Sequence, residues 1–238
     1  MLETLLALFA AHLVADFVLQ TDWVIARKRR WWGMALHITG VAVMTFLAIG
    51  RFDPMVLALI VGSHLVMDLV KTFLMKDEIW PFLVDQAVHL VAIGLAAVLF
   101  PETVAQGWWG QLPADQQNAY YATLVGLSGL ILAVPAGGIV IGKLMAPYAE
   151  EGGADEGLPK AGQYIGWLER GLTLLFVLIG QPEGVGLLLA AKSILRFSDV
   201  NNTHLRKHTE YVILGTLLSF AWALTVAVVT QAALKHWA

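Results

Sequence analysis

Eight stretches of this sequence are apolar over the length a bilayer-spanning helix needs. A span takes about 20 mostly apolar residues. The candidates are 2–21, 32–50, 54–75, 80–100, 119–145, 162–180, 184–198 and 209–234. The seventh is short and follows the sixth after only Gln181-Pro182-Glu183-Gly184. A tight hairpin, a tilted pair or a re-entrant element all remain open for that pair. The chain is 58% hydrophobic and 14% charged, whereas a soluble domain carries about 25% charged residues. In water such a chain would expose large contiguous apolar surface. The expected fold class is therefore all-α, a polytopic transmembrane helical bundle of about eight spans. The first segment has no basic leader and carries Glu3, His12 and Asp16, so it reads as a retained span and not a cleaved signal.

Basic residues orient the chain. With eight spans, one side collects Arg27, Lys28, Arg29, Arg30, Lys71, Lys76, Lys143, Lys160, Lys192, Arg196, Arg206 and Lys207. The other side has Arg51 and Lys235. The first set is expected in the cytoplasm and both termini outside. Trp31, Trp32, Trp80, Trp108 and Trp109 fall at span ends, where interfacial aromatics belong. With a net charge of -3 nothing points to a nucleic-acid partner, and membrane lipid is the expected one. The absence of cysteine excludes disulfides and thiolate ligands.

Residues 5–50 align without gaps on 57–102 at an offset of 52. His-Leu-Val-Ala-Asp-Phe-Val at 12–18 matches His-Leu-Val-Met-Asp-Leu-Val at 64–70. His12 falls on His64, Asp16 on Asp68 and His37 on His89, in a chain with 7 histidines in all. Each unit holds two spans, so the repeat is expected to be parallel, about an axis along the membrane normal. The chain then divides into a duplicated two-span repeat, 1–102, and a second transmembrane half, 103–238.

The chemistry is expected in the repeat. His12, Asp16, His37, His64, Asp68, Asp85 and His89 all fall roughly 8–18 Å from the cytoplasmic ends of their helices, at about 1.5 Å per residue. His12/Asp16, His64/Asp68 and Asp85/His89 are i,i+4 pairs, each on one helix face. Ionisable groups at such depth are costly unless paired, hydrated or bound to metal. A structural polar network and a metal-free proton relay are the alternatives to a metal site. The leading reading is a centre of one or two divalent transition ions, Zn²⁺ or Mn²⁺. Its ligands are His12, Asp16, His37, His64, Asp68 and His89. Asp85 aligns with Gly33 in the first unit. It is assigned as the catalytic carboxylate, with bridging a metal or holding His89 as open alternatives.

The second half carries Glu169-Arg170 in the sixth span, Lys192 and Arg196 one turn apart in the seventh, and Glu210 at the start of the eighth. Arg170, Lys192 and Arg196 form a candidate cationic pocket for an anionic head group, with Glu169 and Glu210 orienting it. The bland reading pairs Glu169 with Lys192 and lets Arg196 snorkel. His204 and His208 lie in a polar basic loop and read as loop residues.

His-Leu-Val-Ala-Asp-Phe-Val-Leu-Gln at 12–20, Asp-Gln-Ala-Val-His-Leu at 85–90, Gly-Trp-Leu-Glu-Arg at 166–170, Ala-Lys-Ser-Ile-Leu-Arg-Phe at 191–197 and Glu-Tyr-Val-Ile-Leu-Gly-Thr at 210–216 resemble a bacterial membrane family, the domain-of-unknown-function family numbered 3307. That resemblance implies a bacterial inner-membrane protein. His-x-x-x-Asp at 12–16 and 64–68 is also similar to the motif of bacterial membrane-bound metal-dependent hydrolases, which is support by analogy. The expected function is a metal-dependent intramembrane hydrolase of an amphiphilic or lipid-linked substrate. The alternative is a transporter for a divalent cation or a proton-coupled solute.

Overall fold

The computed structural model of the chain describes residues 1–149, 160–196 and 206–237, without the side chains at 195, 196, 206 and 208. Among the described residues all regular structure is helical. In lipid this follows from backbone chemistry, because a helix satisfies its own N–H and C=O groups where no water can. In order the helices are α1 (Leu2–Val14), α2 (Asp22–Ile25), α3 (Trp31–Ile49), α4 (Pro54–Leu74), α5 (Ile79–Leu99), α6 (Ala114–Ile131), α7 (Gly137–Ala149), α8 (Ala161–Leu178), α9 (Glu183–Arg196) and α10 (Arg206–Trp237). α1 runs on into a π-helical turn, Ala15–Leu19. A second π turn, Leu132–Ala136, joins α6 to α7.

Six helical stretches are long and apolar enough to cross a membrane: Leu2–Leu19, Trp31–Ile49, Pro54–Leu74, Ile79–Leu99, Ala114–Ala149 and Thr209–Trp237. The expected spans at 162–180 and 184–198 correspond to α8 and α9, which fall outside that set. α8 places Gln163, Glu169 and Arg170 within 18 residues. α9 has 14 residues, about 21 Å of helix against a hydrocarbon core of about 30 Å.

The chain forms two compact units, Met1–Ile131 with Leu234–Ala238, and Leu132–Ala233. The expected first region, 1–102, lies inside the first unit. There, α1, α3, α4 and α5 close a ring: α1 packs on α3 and α5, and α4 packs on the same two. α6 packs against α1. The core away from the polar layer is aliphatic, with Leu8, Val41, Ile49, Val56, Ile60 and Ile93 buried.

One end of this ring is tied shut. Thr4 Oγ1 donates to the Pro101 carbonyl at 2.8 Å, the Trp108 N–H to that of Gly50 at 2.8 Å, and Trp109 Nε1 to that of Leu47 at 2.7 Å. Trp237 packs on Tyr121 with ring centroids 4.4 Å apart. Gly50 ends α3 in the left-handed region at φ 73°, and a Cβ there would lie 2.7 Å from Trp109 Cδ1. Only glycine accepts both conditions. Asp53 then caps α4, accepting from the Met55 and Val56 N–H groups. The opposite end carries segments 20–30 and 75–78.

In the second unit Pro135 lacks an N–H and cannot continue a regular helix. The chain answers with the π turn. Two carbonyls of the broken stretch are met from neighbouring helices. Trp222 Nε1 donates to Leu132 O at 2.8 Å, and Arg170 Nη2 to Val134 O at 3.1 Å.

Candidate metal centre

All seven polar residues singled out in the repeat are buried, and all face the inside of the four-helix ring. His12 and Asp16 come from α1 and its π turn, His37 from α3, His64 and Asp68 from α4, and Asp85 and His89 from α5. None exceeds 8% exposure, a burial that ionisable side chains reach only when something compensates them. The four imidazoles form a continuous cluster: His64 stacks on His89 with centroids 3.9 Å apart, while His37 lies 5.2 Å from His64 and His12 lies 5.2 Å from His89.

Each carboxylate has one oxygen turned outward to a donor and one turned inward to the imidazoles. Asp68 Oδ1 accepts from Lys28 Nζ at 2.7 Å. Asp85 Oδ2 accepts from Lys71 Nζ at 2.5 Å and from Gln86 Nε2 at 3.1 Å. Asp16 Oδ2 accepts from Gln86 Nε2 at 3.5 Å. The inward oxygens, Asp16 Oδ1, Asp68 Oδ2 and Asp85 Oδ1, are buried and lack any hydrogen-bond partner of acceptable geometry. They nonetheless lie close to imidazole nitrogens. Asp16 Oδ1 is 3.1 Å from His64 Nε2, Asp68 Oδ2 is 3.1 Å from His37 Nε2, and Asp85 Oδ1 is 3.2 Å from His89 Nε2.

These distances suit donors around an ion. Ligands about 2.1 Å from a metal are about 3.0 Å apart at octahedral angles and about 3.4 Å apart at tetrahedral ones. Three groups of potential ligand atoms, each within 4.8 Å of one another, occur: His12, Asp16 and His64; His37, His64 and Asp68; Asp16, Asp85 and His89. Asp16 and His64 each belong to two of them. His12 Nδ1 and both His89 ring nitrogens are buried and make no hydrogen bond of acceptable geometry, and Gln86 Oε1 takes the other nitrogen of His12 at 3.2 Å. Beside His12, His64 and His89 lies an internal cavity of about 10 Å³, also lined by Thr45, Ser63 and Ile93. It has room for about one water molecule.

Residues 4–109 match the model of a family described as protein of unknown function (DUF3307). The match contains the ring from residue 4 onward and every His and Asp of the cluster. No curated protein and no solved structure matches the chain.

Within the DUF3307 segment the structure adds three partners. Gln86 bridges His12, Asp16 and Asp85. Lys28 reads in sequence as part of a basic topology signal, yet its ammonium is buried on Asp68. Lys71 reads likewise but pairs with Asp85. Gly33 explains how Lys28 arrives. A Cβ at Gly33 would lie 2.1 Å from the Arg27 carbonyl oxygen, so the chain before α3 crosses closely over that helix. Gln20, on the polar face of the first span, lies 3.2 Å from His37 Nε2.

Outside the DUF3307 segment, the residues expected at the head group lie in the second unit. Arg170 is buried and donates to Ser219 Oγ at 3.2 Å and to Val134 O. Its guanidinium lies against Gly138 and Gly166, where a Cβ would come within 3.0 Å. Lys192 pairs with Glu169 at 2.7 Å. Glu210 is exposed on α10. The Arg196 side chain, His204 and the His208 side chain lie outside the described residues.

Proposed function

We propose that the DUF3307 ring holds one or two divalent transition ions and that the chain is a metal-dependent intramembrane hydrolase of an amphiphilic or lipid-linked substrate. The observation carrying this is the convergence of three inward carboxylate oxygens on imidazole nitrogens 3.1–3.2 Å away, in one buried layer that holds three overlapping groups of potential ligand atoms. A bound divalent ion would supply Lewis acidity and a water acidified towards pH 7. His12, Asp16, His37, His64, Asp68 and His89 would hold it, and Gln86, Lys28 and Lys71 fix the carboxylates from outside. Asp85 Oδ1 stays available beside His89 to take a proton. The His-x-x-x-Asp motif of membrane-bound metal-dependent hydrolases adds an analogy.

The parallel repeat supports two equivalent half-sites. His12 Nδ1 to Asp16 is 3.8 Å and His64 Nε2 to Asp68 is 3.7 Å. His37 meets Asp68, while its counterpart His89 shares a ligand group with Asp16.

Mn²⁺- or Zn²⁺-loaded protein incubated with bacterial lipid extract should release product, read by mass spectrometry. His37→Ala should lose at least about 100-fold of the turnover, beyond the loss typical of an outer partner. Turnover retained in that variant sinks the reading. Counterflow of cation in proteoliposomes without cleavage would assign the chain to transport instead.

The bilayer is read as the bacterial inner membrane, with eight spans. The 20–30 and 75–78 segments then face the cytoplasm and both termini face outward. The cysteine-free sequence makes this directly measurable. A membrane-impermeant maleimide should label Lys235→Cys in intact cells and Arg29→Cys only after permeabilisation. The reverse pattern would invert the topology.

A further inference from the structure

We propose that Lys28 and Lys71 make the metal-loaded centre a receptor for a phosphate-like anion, which places a phosphate ester in the substrate. The proposal rests on the metal reading above. Three buried carboxylates, Asp16, Asp68 and Asp85, face two ammonium groups, Lys28 and Lys71. With neutral imidazoles the cluster carries one net negative charge. One divalent ion reverses it to one net positive charge, and two ions leave three. Without the lysines, one ion would leave the same carboxylates negative and two would leave a single positive charge. An uncompensated charge in a low-dielectric interior is costly. The loaded centre therefore demands an anion, and the lysines create that demand.

The geometry also provides the donors. An ammonium group has three N–H bonds. Among the described residues each of these lysines gives one to a carboxylate oxygen, Asp68 Oδ1 or Asp85 Oδ2. Those are the outward oxygens, so the remaining donors sit beside the ligand carboxylate Asp68 and the catalytic carboxylate Asp85. The Lys71 side chain is 29% exposed, and the Lys28 side chain 9%. An anion entering from the end of the ring that holds segments 20–30 and 75–78 would meet Lys71 first. Of the cations expected to serve this purpose in the second unit, the two whose side chains are described are otherwise engaged, Arg170 with Val134 and Ser219, and Lys192 with Glu169. A tetrahedral oxyanion offers oxygens to both metal and ammonium at once, the arrangement two-metal phosphoryl centres use.

The test uses full-length detergent-purified protein loaded with Mn²⁺ and follows ³¹P relaxation of added inorganic phosphate. Loaded wild type should accelerate the relaxation well beyond the same concentration of Mn²⁺ held by a chelator. With Mn²⁺ raised until each variant is saturated, Lys28→Met and Lys71→Met should each weaken phosphate about tenfold, as expected for a charge-assisted hydrogen bond. Lys71→Arg should recover most of the loss. Lys71→Met is the more exposed site and keeps the test decisive if Lys28→Met does not purify. A short-chain phosphatidate that displaces phosphate at lower concentration would identify a lipid head group, and one that fails to would identify a soluble phosphate. Mn²⁺ uptake without enhanced relaxation, or unchanged phosphate affinity in both methionine variants, overturns the receptor alone. Failure to take up Mn²⁺ overturns the metal reading and the receptor with it.

Discussion

His64→Ala is expected to bind Zn²⁺ or Mn²⁺ at least about 100-fold more weakly than the wild-type chain. Loss of a partner that merely orients a ligand costs about 10–100-fold in metal affinity, and the proposed centre makes His64 a direct donor. It belongs to two of the three ligand groups. Its Nε2 lies 3.1 Å from Asp16 Oδ1 on α1 and 3.1 Å from His37 Nε2 on α3. No other residue of the cluster touches both neighbours so closely. Removing it strips a ligand from each position together, so a two-ion centre should lose both ions and not one. Competition against a chelating indicator in detergent measures the effect. An affinity equal to wild type would remove His64 from the ligand set, and with it the shared geometry of the two positions.

Lys28→Met should unfold far more easily than wild type when metal is chelated. The pair it breaks is buried, with Lys28 and Asp68 side chains 9% and 3% exposed. Removing one partner of such a pair costs about 3–5 kcal/mol, because the other charge stays behind uncompensated. For a chain of this size that is a fall in Tm on the order of 10 °C. Metal should raise both Tm values, since a ligand held at 100 times its Kd adds about 2.7 kcal/mol to a folded state that binds it, and the gap narrows only as far as the cation also supplies the charge that Asp68 lost. Thermal unfolding in detergent, with chelator and then with Mn²⁺, reads both effects. Equal Tm values under chelation would show that Asp68 does not depend on Lys28.

Much of the cluster could be read in the linear sequence because it is written there twice. The i,i+4 spacing of His12 with Asp16 and of His64 with Asp68 placed each pair on one helix face, and the structure turns those faces into the ring. Lys28 and Lys71 could not be found that way. In sequence a lysine near a span end signals topology, and only the packing of the chain across Gly33 carries Lys28 inward. Gln86 was hidden for a similar reason. Its role depends on α1 and α5 being neighbours, and no spacing rule within α5 announces that. The π turns at Ala15–Leu19 and Leu132–Ala136 also left no periodic trace. Pro135 announces a break in α6 but not the donors, Trp222 and Arg170, that repair it. Among the eight expected spans, α8 and α9 are apolar runs in the linear sequence. Their charges and short length keep them outside the set of helices apolar enough to cross.

The most direct test is the metal content of the wild-type chain, purified in mild detergent without chelator and measured by inductively coupled plasma mass spectrometry. One or two equivalents of a divalent transition metal per chain is the predicted result. A folded chain that carries none, and takes up neither Zn²⁺ nor Mn²⁺ when either is supplied, would contradict it and leave the buried His and Asp residues as a metal-free polar network.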